Sequence, residues 1–530
     1  MFDLRIRKAR ILDGTGNPWF RGDVGIEQGR ITAVGDLGGI AAKRELHADD
    51  RYLAPGFIDI HTHSDFSLPL FPRGESRISQ GVTTEVGGNC GLSPSPVSTE
   101  RLELLRQSTS FLAAGLSFEW RSTADFVAYL ETLPFSHNLL LLAGHGTIRL
   151  SVMGFDRRPP TEGELDAMRS AVAEAMEAGA VGLSSGLIYA PGSFADAEEL
   201  VALCDVVRRY GGIYTTHLRN EASGLLDAVE EALTVGREAG VPLQLSHHKA
   251  VGEPNWGMVQ QSLARVEAAR RDGQDVTLDQ YPYTGSSTTF TAFFPEWAME
   301  GGVSALLERL SQSDVRQRII PDVEQKNIYG WDKVVVASVR KAEHRRYEGM
   351  NLSEIGKLEN KSAVEAGLDL LQAEEGPFSI IRFGISETDL EYVLRNPLVM
   401  VGSDGYSFAP AMGSKPHPRS YGTFARVLGR YVREKPILSV EDAVRKMTSL
   451  PAQRAGLRDR GVIRGGQIAD LVLFDADQIA DTATYTEPHR YAAGIEWVMV
   501  GGQMVWQDGK DTGVVAGQVL RASSLAGRGS

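Results

Sequence analysis

Short apolar runs, each ending in a polar cluster, recur through the middle of the chain and are separated by longer segments with helical spacing. That alternation predicts parallel strands with helices between them. Runs ending near Ile60, Val86, Leu142, Leu183, Thr215, Leu245, Leu278 and Val401 are the candidate strands. They predict an α/β fold, a (β/α)8 barrel of the TIM type, whose chemistry sits at the C-terminal strand ends. Thr161, with Glu164 three residues on and Met168 and Val172 beyond, reads as a capping box starting one of the helices. A long segment divides the seventh run from the eighth. Within it, roughly 290–375 reads as a helical insertion covering the barrel mouth.

The ends have a different texture. Leu4, Ile6 and Ile11 fall in strand-like segments closed by Asp13-Gly14-Thr15-Gly16, and Val24–Ile26 and Arg30–Val34 flank the hairpin signal Glu27-Gln28-Gly29. Ile468–Phe474 and Glu496–Val500 repeat the pattern, and Gly501-Gly502 turns into Gln503–Trp506. Both ends are therefore expected to pair in one small β-sandwich, built from residues 1–55 and 456–520, around a barrel at 56–455. The Ser/Gly/Ala-rich end from about Arg521 reads as frayed.

Composition narrows the function. A net charge of −13 and a pI near 5.5 argue against a nucleic-acid partner, which needs a basic surface. The two cysteines, Cys90 and Cys204, imply no disulfide framework. The chain has no apolar run of about 18 residues and no signal-like start. These features suit a soluble cytoplasmic protein acting on a small molecule, and they leave the oligomeric state open.

The strand ends carry the chemistry. Of the 11 histidines, His61, His63, His145, His217, His247 and His248 all fall there. His61 and His63 lie two apart, on one face of an extended segment. Cys90 stands in Gly88-Asn89-Cys90-Gly91, where glycines let the backbone turn and aim the sulfur inward. His61, His63, Cys90, His217, His247 and Asp404 are the candidate metal ligands, and a thiolate among imidazoles suits zinc. His247 and His248 face opposite sides, so His248 is expected to pack rather than ligate. His145 can ligate or hydrogen-bond substrate. Asp404, in Gly402-Ser403-Asp404-Gly405, is the candidate catalytic base, taking a proton from the attacking water and passing it to the leaving group.

These motifs resemble the amidohydrolase superfamily, and within it the N-acyl-D-amino-acid deacylases (D-aminoacylases). The resemblance rests on Pro55–His63, Gly88–Gly91, Thr216–Glu221, Ser246–Lys249 and Gly402–Gly405, and it spans nearly the whole chain. It implies zinc-dependent hydrolysis of N-acyl-D-amino acids. One tight zinc would be held by Cys90, His217 and His247, and a weaker second position by His61, His63, Cys90 and Asp404. Many amidohydrolases bridge two metals with a strand-four lysine, but Val181–Tyr189 contains none. In this branch the bridging role looks to pass to the cysteine. The D stereochemistry comes from the resemblance alone.

The resemblance also implies substrate contacts. Lys249 and Arg219 are expected to meet the α-carboxylate, together with Tyr281 or Tyr283 and Ser287, with Tyr189 and Arg419 as further candidates. An acidic substrate side chain needs a cation. None occurs from Tyr281 to Glu308, whereas Phe290, Phe293, Phe294 and Trp297 do. Apolar or neutral side chains are the resulting expectation, although these aromatics can equally pack the insertion. A cyclic amidase of hydantoinase or dihydroorotase type is the alternative; Cys90 and the missing lysine weigh against it. A metal-free scaffold is the other alternative, and it would be expected to have eroded ligands.

Overall fold

The computed structural model describes residues 1–112, 115–409 and 414–522. Most of the glycine-rich C-terminal end, whose fraying was expected from composition, lies outside the described residues. The fold is α/β with parallel sheets. One arc pairs Phe57–Asp59, Val82–Gly87 and Asn138–Leu141; the other runs from Ala143–Gly144 through Gly182–Gly186, Ile213–His217, Leu243–Leu245 and Val276–Gln280 to Val399–Val401. All of these pairings are parallel. Every strand expected from the apolar runs is present.

Hydrogen bonds cross both seams between the arcs. At one, Leu142 N donates to Gly87 O at 2.9 Å while Val181 N donates to Leu141 O at 2.8 Å. At the other, Asp404 N donates to His61 O at 2.8 Å, and Thr62 bridges Gly405. Asp59 ties the same seam, accepting the amides of Ser403 at 2.9 Å and His61 at 3.2 Å. First and last strand ends, more than 340 residues apart in the chain, are thus fixed side by side.

The two chain ends share one nine-stranded sheet, joined where Tyr52–Pro55 runs antiparallel to Leu471–Phe474. Strand alternation gives this sheet two apolar faces. Leu471 and Leu473 pack with Ile6, Ile11 and Val24, whereas Val472 and Phe474 pack with Phe57, Phe424 and Met447. The second face seats the sheet against the α/β body.

The segment between the seventh and eighth parallel strands corrects the expectation of a purely helical insertion. It contains the helices Gly302–Ser311, Ser313–Lys326 and Ala363–Ala373, but also an antiparallel sheet of Gly285–Thr289, Ser379–Phe383 and Val334–Ser338. The β-branched run Val334-Val335-Val336 favours a strand. Phe290 and Phe293 pack inside this insertion, against Phe378 and Trp331. Among the described residues, no helix is long and apolar enough to cross a membrane.

The helix Glu162–Glu177 starts where the sequence places it. Thr161 accepts the Glu164 amide, and the Glu164 carboxylate accepts the Thr161 amide at 2.7 Å. Replacing Thr161 with Ala is expected to lower stability by about 1 kcal/mol while leaving turnover unchanged. The shift in urea midpoint checks this; an unchanged midpoint would mean that the cap contributes nothing.

Candidate metal centre

Each strand end delivers its side chain by a local device. His61 and His63 follow Phe57–Asp59 directly. Cys90 follows Val82–Gly87 in a turn that only small residues permit: a Cβ on Gly88 would lie 2.1 Å from Leu142 O, and one on Gly186 would lie 2.0 Å from Cys90 O. Cys90, His247 and Asp404 all adopt positive φ, at 54°, 33° and 52°. Such backbone costs roughly 1–3 kcal/mol per residue and gathers at functional sites.

The side chains converge. Cys90 Sγ lies 3.4 Å from His61 Nε2 and 3.4 Å from His247 Nε2. One donor atom each from His61, Cys90, His247 and Asp404 falls within 4.8 Å of the others, and the same holds for His217, Glu221 and His247. The His217 and His247 rings are 4.3 Å apart. His63 Nε2 lies 3.1 Å from Asp404 Oδ1. All of these residues are buried.

The outer ring nitrogens are tied back. His61 Nδ1 meets Asp279 Oδ1 at 3.0 Å, and His247 Nδ1 lies 2.9 Å from Lys249 Nζ and 3.2 Å from Glu221 Oε1. For His61, a carboxylate accepting Nδ1–H leaves the Nε2 lone pair facing inward, toward the sulfur. Both ring nitrogens of His217 are buried without a hydrogen-bond partner. A tetrahedral zinc site sets nitrogen and sulfur ligands about 3.6 Å apart. The 3.4 Å separations and the orphaned imidazole therefore fit a zinc-type ion.

Charge favours ionised ligands. Burial pushes the Cys90 thiol up, but His61 and His247 outweigh it and hold the thiol well below its ordinary value. Burial likewise raises Asp404, yet Arg419, His63, His247 and His61 together hold its carboxyl well below the usual range. Arg419 Nη1 lies 2.8 Å from Asp404 Oδ2.

The cleft over the cluster is bordered by Tyr189, Ser287, Thr288, Tyr406 and Arg419. Tyr281 is fully buried, its ring beside His247 and its hydroxyl without a partner. A cavity of about 160 Å³ opens next to Cys90 between Leu92, Leu187 and Ile188, and reaches Leu150, Phe155 and Phe294. Of the insertion aromatics singled out in the sequence, Phe294 alone lines it. Trp297 instead bonds Asp322 and sits under Arg318.

Four expected contacts are corrected. Lys249 is not a free rim cation: its Nζ donates to Glu221 at 2.5 Å and to His247 O at 3.0 Å. Arg219 spends its donors on Glu231 and on the carbonyls of Ser193 and Ala195. Tyr283 meets His417 edge-on under Arg426, outside the residues bordering the cleft. His145 is fully buried and bonds Glu199 at 2.7 Å, away from the cluster. His248 packs as expected, bonding Ser262 at 2.7 Å, with burial pushing its pKa down to about 4. The sequence reading gave no role to Asp279, Glu221 or Tyr406. Asp279 and Glu221 both sit at strand ends, where the search for ligands already pointed; Tyr406 follows the last strand and stacks on His63.

Comparison with known proteins agrees with this geometry. The chain is 38% identical to an N-acyl-D-glutamate deacylase of Alcaligenes xylosoxydans xylosoxydans over 99% of this chain and 98% of that one. It is 37% identical to a D-aminoacylase of the same organism, covering 98% and 97%. An N-acyl-D-glutamate deacylase of Bordetella bronchiseptica, solved with zinc and a phosphonate mimic of the tetrahedral intermediate, superposes with a TM-score of 0.83 at 36% identity, covering 98% of this chain and 100% of that one. The L-hydantoinase of Arthrobacter aurescens, at 18% identity and a TM-score of 0.58, shares the fold alone. The amidohydrolase family pattern matches residues 44–506, and the chain belongs to the amidohydrolase family.

Proposed function

We propose that the protein hydrolyses the amide bond of N-acyl-D-amino acids, giving a carboxylate and the free D-amino acid. The observation that carries this reading is the convergence of Cys90, His61 and His247 beside Asp404. In this reading the two parallel arcs form one (β/α)8 barrel at 56–455, with residues 1–55 and 456–520 as the attached β-sandwich. The metal-bridging role of a cyclic amidase's strand-four lysine passes to Cys90 in this reading, since Gly182–Gly186 contains no lysine.

Zinc fits the donor set, with Cys90, His217 and His247 holding the tighter ion and His61, His63, Cys90 and Asp404 offering a second position. When bound, zinc polarises the acyl carbonyl and lowers the pKa of the attacking water. Asp404 supplies the proton shuttle. Arg419 keeps it ionised, so it receives the water proton, then returns it to the leaving nitrogen. Arg419, Tyr281 and Ser287 hold the α-carboxylate: Arg419 Nε and the Tyr281 hydroxyl are buried without partners, and the Arg419 guanidinium lies 4.9 Å from the Tyr281 ring centroid. Tyr189 borders the opposite wall, bonded to Thr288 at 3.0 Å. Lys249 and Glu221 act as positioning residues that fix the His247 ring. The apolar cavity beside Cys90 takes the hydrocarbon part of the acyl group.

A panel of N-acetyl D- and L-amino acids and a hydantoin, with zinc measured on the same preparation, tests the reading. Turnover of the D series is expected; ring opening of the hydantoin as the dominant activity would contradict it. Asp404→Asn is expected to retain the tight zinc and lose about 100-fold or more in kcat. Near-wild-type kcat in that variant would remove Asp404 from the chemistry.

A further inference from the structure

Arg382 is a buried cation with no counter-ion among the described residues. It lies on Ser379–Phe383 of the insertion sheet and is 6% exposed. Among the described residues, no carboxylate oxygen lies within 4.0 Å of its guanidinium and no acceptor takes a hydrogen bond from it; Nε is fully enclosed and unpartnered. The rings of Tyr329 and Phe293 flank it at 5.0 and 5.9 Å. Other deeply buried arginines of this protein are paired: Arg77 with Asp59 and Glu85, Arg149 with Glu199, Arg419 with Asp404. Enclosing a charged donor such as Nε without an acceptor is costly. Aromatic faces offset only part of that cost.

Its position says what completes it. Arg382 pairs with Ser286 across the sheet, and the next residues on that partner strand, Ser287 and Thr288, border the metal cleft. Thr288 bonds the Tyr189 hydroxyl at 3.0 Å, and the Tyr281 ring lies beside the Arg419 guanidinium. Those phenols stand over His217 and His247, with ring centroids 5.1 and 6.3 Å away. Arg382 thus stands directly behind residues that border the substrate cleft. In the deacylase reading Arg419 and Tyr281 take the α-carboxylate, so an anion at Arg382 would be a second one.

We propose that Arg382 is the specificity-determining residue of this site and binds a carboxylate on the side chain of the N-acyl-D-amino acid, making aspartate- and glutamate-type substrates the preferred class. The proposal rests on the deacylase reading and replaces the apolar preference expected from sequence. The stretch from Tyr281 to Glu308 holds no cation, and the sheet pairing brings one in from outside it.

The test compares kcat/KM for N-acetyl-D-glutamate, N-acetyl-D-aspartate and N-acetyl-D-methionine in the zinc-loaded full chain, wild type, Arg382→Gln and Arg382→Lys. The wild type is expected to favour an acidic substrate. Arg382→Gln should lose about 10- to 100-fold on that substrate, mainly through KM, and stay within about threefold on the methionine derivative. Arg382→Lys should recover part of the loss. Wild-type preference for methionine overturns the proposal even if the variants fail to fold. An equal loss on all substrates, or no loss, also overturns it, by giving Arg382 a structural or α-carboxylate role or none. Absence of turnover on every substrate by the wild type instead defeats the deacylase reading itself.

Discussion

One fully buried carboxylate, Asp279, sets the geometry on which the site depends. It accepts from His61 Nδ1 at 3.0 Å, from the His247 backbone amide at 2.8 Å and from Gln244 at 2.6 Å. Two imidazoles from strands far apart in sequence are thereby fixed against one another. Both then present Nε2 to the same sulfur. A buried carboxylate is costly unless its oxygens are satisfied, and these three donors satisfy it. The same contacts that make Asp279 tolerable also orient the donor set.

The scaffold bears further costs for this arrangement. Cys90, His247 and Asp404 take left-handed backbone that residues with a side chain rarely adopt. The parallel strands beneath them are fully buried and hydrogen-bonded on both sides, so the turns are held by structure rather than by their own preference. Asp59 and Arg77 do similar work at the seam, tying the first strand end to Ser403 beside Asp404. Stability and function meet at these contacts, because the groups that close the seam also place the base.

Much of this was legible in the sequence, for physical reasons. Buried parallel strands must be apolar, so periodicity marked the strand ends, and ligand chemistry at those ends singled out His61, His63, Cys90, His217, His247 and Asp404. The occupancy of charged side chains was not legible. Lys249 and Arg219 read as mouth cations, but each is spent on an acid, Glu221 or Glu231, and only folded distances show which. Arg382 is the reverse case. It reads as an ordinary strand residue until the sheet register sets it beside Ser286, with no ion pair among the described residues. The antiparallel sheet of the insertion was missed because its three strands are separated by helical stretches and pair only in three dimensions.

The account stands or falls on sulfur in the metal shell. Zinc-edge X-ray absorption on the purified full chain tests this directly. One sulfur at about 2.3 Å with the remaining ligands nitrogen or oxygen at about 2.0–2.2 Å is the predicted result. A shell made of nitrogen and oxygen alone would place Cys90 outside the centre and contradict the account.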